Sequence, residues 1–240
     1  TKKIDRDLFD PIYDKVYGSS IFKYSEKKRE KFMNEWPNAI IGGTGSNDPV
    51  TVEEIIGQQW EHYDYSGYEQ FKDSIGFTQR GCRLKCKFCV VPQKEGKPKS
   101  TNTIYDIWRG SPHPKKLHLL DNDFFGQPKE QWQQRIKEIR DGNFRVSISQ
   151  GINVRLINDE SSEALASIQY RDSKFRRRKL YTAWDNLKDE KVFFKGVEKL
   201  NKAGIPNKHI RVYMLVGFDP TETWDRIFYR FNKMVDLGIE

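Results

Sequence analysis

Residues 75–89 read Ile75-Gly76-Phe77-Thr78-Gln79-Arg80-Gly81-Cys82-Arg83-Leu84-Lys85-Cys86-Lys87-Phe88-Cys89. A short β-prone run passes through a glycine into a loop that holds every cysteine of the chain. Downstream, β-prone runs at 116–121, 145–149, 179–184 and 210–216 follow the first, at 75–79. Helical patterns lie between or after them, at 103–109, 129–140, 160–170, 192–203 and 222–237, with Gly204 placed as a C-cap. Strands alternating with helices imply an α/β fold of parallel β/α units joined by right-handed crossovers. Five units are too few for the eight-fold barrel of roughly 250 residues. The expectation is a partial, open barrel of (β/α)6 type over 74–240, with a sixth strand about to start at 238–240.

Residues 1–73 read differently. A strand is expected at 13–22, a charged helix at 25–34, and the pair Ile40-Ile41 runs into Gly42-Gly43-Thr44-Gly45. Such punctuation suits a fragment of a Rossmann-like domain whose ligand approaches the backbone, but one strand and one glycine cluster do not define such a site, and a tight turn leading into a helix at 52–59 is the plainer reading. The aromatic stretch 60–68 reads as an irregular linker packing on the next domain. The N-terminus carries neither an initiator Met nor an apolar leader, which suggests a piece excised from a longer chain and gives no pointer to secretion.

Composition narrows the class. No run approaches the roughly 18 apolar residues of a membrane span, and an aromatic content of 13% is too high for a disordered chain. With 42 Lys+Arg against 34 Asp+Glu the net charge is +8. Residues 1–73 hold 10 basic and 14 acidic side chains, so the remaining 32 and 20 give residues 74–240 a balance of +12. A basic partner surface therefore belongs to the second part.

Three cysteines cannot pair off, which excludes a disulfide framework and favours a reducing, cytoplasmic setting. Cys82, Cys86 and Cys89 form C-x3-C-x2-C. Three thiolates on one loop can hold three irons of a four-iron, four-sulfur cluster (4Fe-4S) and leave the fourth open to a small molecule. Zinc is the alternative, but it needs a fourth ligand, and His62, His113, His118 and His209 show no paired spacing with the cysteines. Unligated core thiols are the remaining alternative, behind the open cluster.

This motif, with the aromatic Phe88 before its last cysteine and a strand in front, resembles the radical S-adenosylmethionine (SAM) superfamily. The stretch from Gly81-Cys82 to Val90-Val91-Pro92, with Glu95-Gly96, is similar to the methylthiotransferases and to the group with an N-terminal cobalamin-binding-like domain. The sequence has no Asp-x-His-x-x-Gly and no second cysteine set, so cobalamin has no support in the residues. The resemblance implies a radical SAM enzyme, a transferase in the methylating or methylthiolating cases. Its open iron takes the amino nitrogen and carboxylate oxygen of SAM. It also implies roles at strand ends: Asn122 and Asp123 toward the SAM ammonium group, Gln150 toward a ribose hydroxyl and Arg155 toward the carboxylate. Asp185 is assigned to SAM, substrate or a helix N-terminus; Val216 and Glu222 stand where the adenine-contacting strand and its following Glu are found.

Residues 80–99 hold seven basic groups (Arg80, Arg83, Lys85, Lys87, Lys94, Lys97, Lys99) against the single acid Glu95. An electropositive rim beside the cysteines suits an anionic substrate, a nucleic acid or nucleotide first, or an acidic donor such as flavodoxin or a ferredoxin-type protein. The run Arg176-Arg177-Arg178-Lys179 falls before the fourth strand, on the opposite side of a barrel, where a solvated face is the plainer expectation. The competing class is a non-catalytic iron-sulfur protein for electron transfer or sensing.

Overall fold

A computed structural model describes residues 9, 12–46, 50–57 and 63–240. The chain divides into two compact units, Thr1–Glu61 and His62–Glu240. The division falls before the expected 73/74 boundary because residues 63–73 pack on the second unit. The Tyr65 hydroxyl accepts the Ile75 N–H (3.0 Å), the Arg109 guanidinium lies 3.9 Å from the centre of the Tyr65 ring, and Phe71 meets His118.

In the first unit, β1 (Tyr17–Ser19) pairs in parallel with β2 (Ile40–Gly42) across helix α1 (Glu26–Glu35), and α2 (Val52–Ile56) follows behind a Thr51/Glu54 capping box. Strand β1 is much shorter than the expected 13–22. Helix α2 stops at the left-handed Gly57, and Gln58 to His62 lie outside the described residues. Gly43, at φ +98°, sits where a Cβ would stand 2.4 Å from the Ser20 carbonyl oxygen. The glycine cluster is thus filled by the unit's own backbone, as a tight turn requires.

The second unit is mixed α/β. Its strands are β3 (Ser74–Gly76), β4 (Gln79–Arg80), β5 (Lys99–Ser100), β6 (Lys116–Leu119), β7 (Arg145–Ile148), β8 (Gln169–Tyr170), β9 (Leu180–Ala183) and β10 (Ile210–Tyr213). The helices are α3 (Val91–Lys94), α4 (Ile104–Ile107), α5 (Lys129–Asp141), α6 (Asp159–Ala166), α7 (Glu190–Lys202) and α8 (Trp224–Asp236). A parallel sheet runs in the order β3-β6-β7-β8, with Leu117 opposite Val146 and Val146 opposite Tyr170. β9 and β10 form a separate parallel pair. The Ile152 N–H, past the end of β7, donates to the Tyr181 carbonyl of β9 (2.7 Å). Beyond the other edge of β10, the Glu240 N–H donates to Ile210 and the Glu240 carbonyl accepts from Val212, a parallel bridge at the place of the expected sixth strand.

Hydrophobic periodicity accounts for the layers. Leu117 and Leu119 of β6, Val146 and Ile148 of β7 and Leu180 of β9 are buried in one hydrophobic core, while Lys116 and His118 on the other face of β6 stay partly exposed. α7 turns Phe193, Val197 and Leu200 inward at helical spacing, and α5 does so with Trp132, Ile136 and Ile139. Each such side chain contributes about 1.5–3 kcal/mol by leaving water. The expected helix at 160–170 ends at Ala166, because Ile168 and Tyr170 are buried in β-like alternation with Gln169. Sequence reading also missed the antiparallel pair β4/β5, which closes residues 81–98 into one loop. Among the described residues, no helix is long and apolar enough to cross a membrane.

Candidate functional site

Parallel strands deliver their C-terminal ends to the same side. Chain just past β6 (Asn122), β7 (Gln150, Gly151, Ile152, Asn153) and β9 (Asp185), together with Tyr213 of β10, lines a cavity of about 200 Å³ with Cys82, Cys86 and Cys89. Phe88 and Arg155 complete much of its wall.

The cysteine loop is anchored before it reaches this cavity. Gly81 has φ +81°, and a Cβ on it would stand 2.3 Å from the Lys97 carbonyl oxygen, so the loop is pinched where it leaves β4. Glu95 stitches the pinch: one carboxylate oxygen accepts the Gly81 N–H (3.0 Å), the Arg80 Nε–H (3.1 Å) and the Asn122 amide (2.8 Å). The buried Gln79 accepts the Asp123 N–H (3.0 Å) and donates to the Arg80 and Gly81 carbonyls. Asp123, 1% exposed, takes the Arg83 guanidinium in a fork, 2.7 Å from Nε and 2.9 Å from Nη2. Fully buried Asp121 accepts the Thr78 N–H (2.6 Å), the Gln79 N–H (3.1 Å) and the Thr78 hydroxyl. Burial pushes its carboxyl up to about 7 even against these hydrogen bonds.

Burial also raises the Cys82 thiol, and the negative charges of Asp123, Cys89 and Cys86 push the same way, while the Leu84 N–H opposes them from 3.4 Å. A bound cation would reverse that balance by stabilising the thiolates. Arg155 stands at the far wall, its Nη2 3.8 Å from the Cys86 sulfur and its Nη1 2.8 Å from Asp189. Asp185 accepts the Leu215 N–H (3.0 Å), and its half-buried carboxyl is raised chiefly by desolvation.

Five of the expected contact residues, Phe88, Asn122, Gln150, Arg155 and Asp185, therefore share one cavity wall with the three thiols. Three stand elsewhere. Asp123 is committed to Arg83, Glu222 pairs with the fully buried Arg230, and Val216 is half exposed. Arg230 Nη1 also donates to the Trp184 carbonyl (2.7 Å), so this pair joins the chain after β9 to the chain after β10. Sequence reading missed Arg230, an arginine on the inward face of an amphipathic helix, and the lining residues Asn153, Thr182 and Tyr213. The strand-end position of the last two was the available signal.

Among the described residues, no three His, Cys, Asp or Glu side chains close on a single metal ion. The donor set, three thiols on one loop facing one cavity, suits a multi-iron ligand better than one tetrahedral ion. No protein-family model and no curated protein matches the chain.

Proposed function

We propose that the chain is a radical SAM enzyme, in which Cys82, Cys86 and Cys89 hold a 4Fe-4S cluster and SAM lies beside it. The observation that carries this reading is the convergence of residues from four strand ends on the cavity that the three thiols line. In this reading the two sets of parallel strands are parts of one partial (β/α)6 barrel, whose strand ends form the site as parallel β/α barrels do. When bound and reduced, the cluster supplies the electron that cleaves the sulfur to C5′ bond of SAM. Arg155, its Nη1 held by Asp189, binds the SAM carboxylate through Nη2, Asn122 and Asp185 receive the ammonium group, and Gln150 reaches a ribose hydroxyl. Phe88 screens the thiols from water.

The substrate is anionic, drawn by Lys85, Lys87, Lys94, Lys97 and Lys99, which stay exposed while Arg80 and Arg83 are neutralised by Glu95 and Asp123. A flavodoxin or ferredoxin-type protein supplies the electron in the cytoplasm. Cobalamin is not part of the proposal, since backbone fills the Gly42 to Gly45 turn.

Anaerobic reconstitution of the full chain tests the reading. About four irons per chain, 5′-deoxyadenosine released from SAM after reduction, and weaker SAM binding by Arg155→Ala are expected. Zinc uptake without iron overturns the cluster. Iron uptake with no 5′-deoxyadenosine moves the assignment to electron transfer.

A further inference from the structure

The opposite end of the parallel sheet carries a second electrostatic feature. Lys116 and Arg145, the first residues of β6 and β7, lie side by side in register. Arg171 follows β8, and its N–H donates to the Val146 carbonyl (2.8 Å). Residues 172–177 then form a tight turn. The Asp172 N–H donates to the Arg177 carbonyl (2.9 Å), and the Asp172 carboxylate accepts the N–H groups of Lys174 (3.1 Å) and Arg176 (2.8 Å). At its corner Phe175 takes φ +56° and is buried, with His118 against its edge and the Lys116 ammonium 5.6 Å from its ring centre. Left-handed backbone is unfavourable at a bulky residue, and the burial of the ring offsets that cost.

The turn sets Arg176, Arg177 and Arg178 exposed in a row, with Arg178 5.2 Å from the Tyr170 ring. Lys179 does not belong to the surface: it is buried, donates to the Lys208 carbonyl and pairs with Glu240. Among the described residues, none of Lys116, Arg145, Arg171, Arg176, Arg177 and Arg178 has a carboxylate within ion-pair distance, and Arg171 feels the positive charges of Arg178 and Arg145 ahead of the negative charge of Asp172. Arg171 is depressed by burial first and then by Arg178 and Arg145.

We infer that this strand-start surface binds the phosphodiester backbone of a nucleic acid. Guanidinium forks match phosphate oxygens, and a row of them projecting from a turn suits a ligand whose charges repeat. An anionic membrane fits less well, because the one aromatic of the turn is buried rather than presented. The inference does not depend on the chemistry proposed for the thiol cavity.

Titration of the full chain with labelled single-stranded RNA and duplex DNA, from about 50 to about 200 mM salt, tests it. Affinity should fall log-linearly with salt. Arg176→Gln, Arg177→Gln and Arg178→Gln together should weaken binding at low salt by about tenfold or more and lower the slope by about 2–3. The corresponding triple lysine variant should keep the slope, because phosphate contact needs the charge. Arg145→Gln, on β7 and outside the turn, should also weaken binding. Which polymer binds more tightly distinguishes RNA from DNA. Undetectable affinity for both at low salt, binding only to phosphatidylserine vesicles, or loss of binding in a Lys94, Lys97 and Lys99→Gln variant but not in the arginine variant would overturn it.

Discussion

Around the thiol cavity, the arginines are answered by carboxylates: Arg80 by Glu95, Arg83 by Asp123, Arg155 by Asp189 and Arg230 by Glu222. At the opposite end of the same sheet, Arg145, Arg171 and the row Arg176 to Arg178 have none among the described residues. One end spends its charges on its own geometry, Arg155 keeping only Nη2 toward the thiols, and the other leaves them for a partner. A paired, half-buried arginine positions a loop at low dielectric, whereas an exposed, unpaired one contributes little to stability and much to long-range attraction.

Removing arginines one at a time should break or sharpen this contrast. The largest effect is expected from Arg230→Met, which leaves Glu222 without its cation and the Trp184 carbonyl without a donor. Urea unfolding should show a loss of about 3–5 kcal/mol, and a second change, Glu222→Leu, should recover part of it. Arg83→Met should cost about 1.5–3 kcal/mol, because Asp123 stays buried without its fork, and iron uptake should fall with it.

A pH series with Asp121→Asn comes next. The folded carboxyl is raised to about 7, so between roughly pH 4 and 7 the folded chain holds a proton that the unfolded chain has released. Its contribution to stability is full below pH 4 and is lost as pH rises through 7. The amide should flatten that decline, which cannot exceed about 1.4 kcal/mol per pH unit for one group. A slope left unchanged would show that Asp121 is ionised throughout. The smallest effect belongs to the other end of the sheet. Arg177→Gln should alter unfolding stability by no more than about 0.5 kcal/mol, and a loss of several kcal/mol there would erase the contrast.

Much of the fold was legible because hydrophobic period and strand spacing are local properties. The strands at 116–119, 145–148, 180–183 and 210–213 lie inside the runs read from the sequence, as do the helices α5 and α7 apart from a residue or two at their ends. β8 was not legible: Gln169-Tyr170 continues a helical pattern, and only pairing to β7 makes it a strand. The hairpin of β4 and β5 was hidden for the same reason, since its partners are two-residue segments separated by the whole cysteine loop.

At the candidate site the sequence determined the donors. Cysteine count and spacing are chemical facts that no packing alters, and the carboxamides and charges after β6, β7 and β9 follow from chain position. Tertiary structure decided which of those residues face the cavity. Asp123 and Glu222 look like ligands on paper, yet each lies beside an arginine brought from a distance, Arg83 by 40 residues and Arg230 by eight. A buried carboxylate is stable only when paired, so the chain's three-dimensional course, which alone sets the partner, turns these acids into anchors and leaves Asn122, Arg155 and Asp185 on the wall with the thiols.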